Sequence, residues 1–321
     1  VKYIKNEAEK SGFVNIFPAA AITTGLKGEE ISEMGELAAA GAVAFTDDGF
    51  PVSSSIVMRH ALEYSRMFDM PLLDHEEDHS LVDSGIMNEG KTSILLGMRG
   101  IPSAAEEVMI SRDVILSSLT GGKLHVEHLS TGGAVDIVRN AKAKGAKVTC
   151  ETAPHYFSLT DEAVKEKLAM AKMNPLLSTE SDRVKVIEGL RDGTIDVIAT
   201  DHAPHTMNEK RQEIEFAPNG IIGLETCVPL VITKLVKENH FSYLQAFSKL
   251  TCNPAKILKL QKGTITEGAD ADITIIDPEK KITVDESFIS SKCKNTPFMG
   301  AELFGSVEYT ILGGRIVYKR N

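Results

Sequence analysis

The chain has 321 residues, 42% of them hydrophobic, and a formal net charge of −10 at pH 7. That is enough to bury one large core, or a core plus a small second domain, and the acidic balance argues against a nucleic-acid surface. No apolar run is long enough to cross a bilayer, no signal peptide opens the chain, and the four cysteines (Cys150, Cys227, Cys252, Cys293) form no CxxC pair, which points to a reducing, cytoplasmic setting and excludes a disulfide framework.

Val1, Ile4 and Ala8 follow a helical pattern from the first position, so the beginning reads as cut. Phe13 to Pro18 reads as a strand, and Ile31 to Ala40 as a helix ended by Gly41. Val43 to Asp48 is the next strand, followed by a helix near Ser54 to Phe68 and a strand from Met70 to His75. Helical spacing covers Ala104 to Leu119, Gly121-Gly122 interrupts it, and a strand runs from Leu124 to His128. A helix at Gly133 to Lys144 leads to a strand at Lys147 to Glu151. A helix at Ser181 to Arg191 leads to a strand from Val197 to Asp201.

Strand–helix alternation implies a parallel sheet with right-handed crossovers. Six strands are visible where a closed (β/α)8 TIM-type barrel needs eight, so the first two strand–helix units are expected to be absent from this chain. Residues 1–255 read as this N-terminally incomplete barrel. From 256 to 321 the texture is turn-punctuated and β-branched, with Gly313-Gly314 as a hairpin signal, and reads as a small C-terminal β appendage.

Four strand endings carry metal-ligand residue types: Asp48, His75, His128 and Asp201. A parallel barrel gathers those ends at one face. Two histidines and two carboxylates suit a catalytic divalent metal, most often zinc, and hence metal-assisted hydrolysis. Asp201, in Asp201-His202-Ala203-Pro204-His205, can both hold a metal and take a proton from water. Read alone, that string favours function over the alternative of a solvated loop with incidental histidines. His75 abuts the apolar run, whereas His79 reads as part of a charged surface turn.

His125 and His128 are three apart on a strand and face opposite sides, so only one reaches the barrel mouth. His128, nearer the C-terminal end, is expected there, and His125 as a packed histidine. Position does not choose between Asp47 and Asp48. His155 ends the fifth visible strand and suits a pocket or a structural role about equally. Asn174, before Pro175, could read a substrate amide or simply form a turn. Asn219-Gly220 offers bare backbone for close approach to a ligand, or a plain turn. The loop from His205 to Asn219 is charged (Glu209, Lys210, Arg211, Glu213, Glu215) and suggests exposure and mobility.

Phe45 to Gly49, Asp74 to Asp78, His125 to Thr131, Asn174-Pro175, Ala199 to His205, Gly223 to Thr226 and Lys294 to Phe298 stand in an order and spacing that resemble class I dihydroorotase, of the amidohydrolase superfamily. The resemblance covers essentially the whole chain. It implies metal ligands at Asp48, His75, His128 and Asp201, settling Asp48 over Asp47, with one or two zinc ions. It implies Asp201 as the catalytic proton-transfer residue, and substrate contacts from Asn174, His205, Asn219 and Gly220. The implied reaction is the reversible closure of N-carbamoyl-L-aspartate to L-dihydroorotate in pyrimidine synthesis, with a small-molecule substrate, a homo-oligomeric state and aspartate transcarbamoylase as a partner.

The family's His-x-His-x-Arg segment and its following asparagine are absent, and Glu76 stands where the family often has cysteine. These residues alone are therefore expected to be inactive. Two other readings compete. One is a hydantoinase-like or allantoinase-like hydrolase, disfavoured because Asp48 holds a ligand position and no lysine offers itself there. The other is a non-catalytic scaffold subunit for aspartate transcarbamoylase, disfavoured because it has no use for the retained polar set.

Overall fold

The computed structural model describes residues 1–320. Its strands, in chain order, are β1 (Ala19–Ala20), β2 (Ala44–Thr46), β3 (Leu72–Asp74), β4 (Met87–Asn88), β5 (Gly100–Ile101), β6 (Leu124–Val126), β7 (Val148–Thr152), β8 (Val197–Ile198), β9 (Ile273–Thr283), β10 (Glu302–Leu312) and β11 (Arg315–Lys319). Six of them form one sheet in the order β1-β2-β3-β6-β7-β8, and every neighbouring pair is parallel. Helices Ser55–Ser65, Ala104–Thr120, Gly132–Ala143 and Glu180–Asp192 supply crossovers between successive strands. This is the α/β layout of a TIM-type fold.

The first strand lies later than the sequence suggests. Residues 13–18 are irregular, with Phe13 and Val14 exposed, and pairing begins at Ala19. Pro18 has no N–H to give a ladder, but its carbonyl accepts from Val43 N at 3.0 Å. The helix expected from Ile31 starts at Met34. Helix Glu180–Asp192 shows how firmly the later boundaries are set. Thr179 and Asp182 cap its start reciprocally, and Gly193 at φ 85° ends it.

Alternation along the strands sorts the two sheet faces. Leu124, Val126, Val148 and Cys150 point to the helices and share a core with Ile110, Val135, Val138, Val186 and Leu190. Thr46, Leu73, His125 and Thr149 are register partners across four strands and make a more polar layer on the inner face. Burying the helix-side layer drives the sheet together, leaving the inner face for polar chemistry.

Strands β9, β10 and β11 make an antiparallel sheet, with Gly313-Gly314 turning β10 into β11. Ile282, Val284, Phe298 and Leu303 from this region share an apolar cluster with Ala153, Tyr156 and Leu230 from the α/β part. The Lys294 to Phe298 stretch is thereby carried back to the mouth of the sheet.

Candidate active site

Asp48, His75 and His128 each lie just past a strand end, two, one and two residues beyond β2, β3 and β6. Their side chains meet. His75 Nδ1 is 3.2 Å from His128 Nε2, His128 Nε2 is 3.3 Å from Asp48 Oδ1, and His75 Nδ1 is 3.7 Å from Asp48 Oδ1. With metal–ligand bonds near 2.1 Å, a tetrahedral zinc site has ligand–ligand edges of about 3.4 Å. Three N/O donors at these spacings form one face of such a site. His75 and His128 are buried, while Asp48 opens to solvent.

His128 reaches this position by leaving the strand geometry. Its φ is +31°, a left-handed value that costs a non-glycine residue about 1–2 kcal/mol. Asp201 has the same peculiarity at φ +46°. The loop after β6 is held from behind by Glu106, whose carboxylate accepts from Ser130 N at 2.9 Å and from the Ser130 hydroxyl. His125 stays on the inner face, bonded to Thr149 Oγ1 at 2.7 Å and Glu151 Oε2 at 3.1 Å. Asp47 turns away and accepts from the backbone N–H groups of Ile22 and Thr23.

Asp201 stands beside the three-donor cluster rather than inside it. The group of donor atoms that close on one another comprises Asp48, His75 and His128. Asp201 Oδ2 is 3.7 Å from Nε2 of the buried His155. Burial pushes the Asp201 carboxyl up to about 6, against the pull of the His128 charge and with the repulsion of Asp48 and Glu151. Burial likewise drives His75 down to about 3, helped by neighbouring His128. Burial also opposes charge on His128, but the hydrogen bond to Asp48 and the charges of Asp201, Glu127 and Asp48 outweigh it and raise this imidazole to about 10. Without a metal, the cluster therefore holds a proton where a cation can sit. His128 Nδ1 and His155 Nε2 are buried with no hydrogen-bond partner, a further sign of a site built for an added group.

Asn174 sits against this cluster. Its Nδ2 is 3.1 Å from His75 Nε2 and donates to Glu77 Oε2 at 3.2 Å. Asn174 and Asn219 line one cavity of about 470 Å³, along with Glu77, Arg99 and Lys172. Gly220 has φ +113°, and a Cβ there would fall 2.5 Å from Ala203 Cβ, so only glycine fits. The same hypothetical atom would be 3.4 Å from His205 Nε2, which places His205 next to Gly220.

Several residues that hold this arrangement were not marked by the sequence. Asn295 is fully buried and donates to the carbonyls of Ala203 and Gly220 at 3.0 and 3.2 Å, while its Oδ1 accepts from His205 N. The 205–219 loop is anchored rather than merely charged and exposed. Lys210 is 2% exposed, and its Nζ donates to the carbonyls of Lys172, Pro218 and Gly220 at 3.2, 2.9 and 3.0 Å. Lys172 Nζ in turn donates to the carbonyls of Ile214, Glu215 and Ala217. An ammonium with three donors facing three carbonyls is a match that no single-residue reading of a charged loop would find. Asn295 lies in a stretch already singled out as a motif, so that signal was present without its meaning.

Comparison with known proteins identifies the family. Residues 1–134 match the Dihydro-orotase-like family and residues 138–318 the Amidohydrolase family. A dihydroorotase of Acetivibrio thermocellus is 54% identical over 319 residues, covering 99% of this chain and 75% of that protein. One from Geobacter metallireducens is 52% identical over 318 residues, with 99% and 75% covered. The chain thus spans about three quarters of the length of these relatives. Among solved structures, the L-hydantoinase of Arthrobacter aurescens superposes with a TM-score of 0.83 at 23% identity, covering 98% of this chain and 73% of that one. A D-hydantoinase from Thermus sp. gives 0.80 at 21%, covering 98% and 74%. At that identity the hydantoinases share the fold alone. With its strand-end cluster, its α/β fold and these relatives, the chain belongs to the dihydroorotase family of amidohydrolases.

Proposed function

We propose that this chain carries dihydroorotase chemistry, the reversible interconversion of N-carbamoyl-L-aspartate and L-dihydroorotate. The observation that carries the reading is the tetrahedron-spaced face of Asp48, His75 and His128, set directly against Asn174 and its cavity. The donor set of two imidazoles and carboxylates suits zinc, held by Asp48, His75 and His128 with Asp201 as a further ligand. When bound, the metal would activate water and polarise the amide carbonyl.

The protein side chains do the rest. Asp201 takes the proton from the attacking water and returns it to the leaving amide nitrogen, and its partly buried carboxyl is suited to both steps. Asn174, held by Glu77, presents an amide to the polar edge of the substrate. His205 and the Asn219-Gly220 backbone close the far side, positioned by Asn295 and Lys210. His155, neutral because burial drives it down to about 3, packs beside Asp201 with its Nε2 3.7 Å from that carboxylate.

The family's His-x-His-x-Arg ligands and clamp are not among these 321 residues. We therefore propose that these residues by themselves do not turn over substrate. The test is dihydroorotate hydrolysis with zinc measured in parallel, on the 321 residues and on a version carrying a His-x-His-x-Arg strand upstream. Activity should appear only in the second, and His75→Ala should remove both its zinc and its turnover. Full activity in the 321 residues, or full activity without zinc, would sink the reading.

A further inference from the structure

Three carboxylates lie buried on the other side of β3 from His75. Asp74 and Glu76 flank that histidine two residues apart, so strand alternation sends both toward helix Ala104–Thr120, where Asp113 waits. Asp74 and Asp113 are fully buried and Glu76 is 2% exposed. One oxygen from each lies within 4.8 Å of the other two. Among the described residues, the cation that acts on this cluster is Arg112. Its Nε and Nη2 donate to the two Asp113 oxygens at 2.6 and 2.7 Å, and Nη2 stays 3.9 Å from Asp74 Oδ2. Its Nη1 donates to the carbonyl of Ser53 at 3.0 Å.

Arg112 is thus spent on Asp113. Both oxygens of Asp74 and both of Glu76 are buried with no hydrogen-bond donor at all. Four naked carboxylate oxygens in a dry layer are not sustainable as they stand. Two protons are one remedy. A cation held by one oxygen of each of the three side chains is the other. The charges also close: three carboxylates, one guanidinium and one divalent ion sum to zero.

We propose that Asp74, Glu76 and Asp113 form a second cation site, taking a divalent oxygen-seeking ion of the calcium, manganese or magnesium class. Oxygen-only donors select such ions, whereas the imidazole-bearing cluster on the opposite side selects zinc. Calcium, with oxygen bonds of about 2.4 Å, can be reached by donor oxygens that lie within 4.8 Å of one another. The ion would tie β3 to its covering helix and so fix the strand that presents His75.

The experiment uses the chelator-treated protein after zinc has been restored, with calcium as the probe and manganese as its paramagnetic substitute. Equilibrium dialysis should find one calcium beyond the zinc, and the melting temperature should rise with calcium. In the infrared, calcium should leave no buried protonated-carboxyl band. Glu76→Gln and Asp113→Asn, checked for retained zinc and circular dichroism, should each weaken calcium uptake by at least about tenfold, because one anionic ligand is lost. Absence of calcium uptake by the wild type, or uptake by both variants equal to that of the wild type, would overturn the proposal. So would a protonated-carboxyl band that persists at saturating calcium, a readout needing no variant, which would show that protons fill the cluster instead.

Discussion

Replacing Lys210 with methionine tests whether the 205–219 loop is held as tightly as its contacts indicate. Methionine keeps the length and apolar stem of the side chain but removes all three donors. The Lys172 carbonyl would retain its bond from Gly220 N, and the Gly220 carbonyl its bond from Asn295. The Pro218 carbonyl would be left with no donor among the described contacts. An orphaned carbonyl costs about 1–3 kcal/mol, and each of the other two lost bonds about 0.5–1.5 kcal/mol. Part of this is returned because a buried ammonium no longer has to be desolvated. A net local loss of about 2–3 kcal/mol is expected. At 1.4 kcal/mol per factor of ten, the loop opens roughly 30- to 150-fold more often. Amide exchange at Gly220 and Ala203 reads this directly, since both N–H groups are bonded inside the anchored segment. In the version carrying the upstream His-x-His-x-Arg strand, the KM for dihydroorotate should rise, because Asn219 and Gly220 ride on the loop, while zinc content stays unchanged. Unaltered exchange at these two amides together with unaltered kcat/KM would show that the lysine is a passenger.

In the version carrying the upstream His-x-His-x-Arg strand, Asp201→Asn should abolish turnover while circular dichroism and melting stay close to those of the unsubstituted protein, because asparagine fills the space without taking the proton; kcat near the normal value would reject Asp201 as the acid–base group. In the same version Asn174→Ala and His205→Ala should raise KM for dihydroorotate with zinc retained, and loss of zinc by elemental analysis in either would reassign that residue to the metal. Zinc binding should tighten as pH rises. His128 is raised to about 10 and holds a proton that zinc must displace, so affinity gains about tenfold per pH unit below that value. Calorimetry in buffers of different ionisation heat should count at least one proton released, and pH-independent binding would contradict the protonation assigned to His128.

Much of this site is legible in the chain because the relevant residues terminate apolar runs. Asp48, His75 and His128 each follow a short buried strand, and a parallel sheet sends such ends to one face. The harder features depend on contacts between residues far apart in sequence. Lys210 sits among exposed charges and looks like one of them, yet its partners are carbonyls at 172, 218 and 220. Asp74, Glu76 and Asp113 carry no sign of one another in the sequence, and only strand alternation and a helix bring them together out of water. The misplaced first strand has a local cause: Phe13 to Phe17 has the composition of a strand, but β2 pairs only from the Pro18 carbonyl onward. Composition records what a residue prefers, and register records what its neighbour offers.

The backbone at His128 and Asp201 bears on how this sequence would drift. At φ +31° and +46°, glycine would be the more comfortable residue at both positions, and asparagine the next. A mutant library sorted only for folded, soluble protein should lose these two side chains early and gain stability by it. The same library, carried in the version with the upstream strand and sorted for growth that depends on the enzyme making its product, should keep them. The two lineages would part at residues 128 and 201 before they part in the core, and sequencing both pools would show where selection, rather than packing, writes this chain.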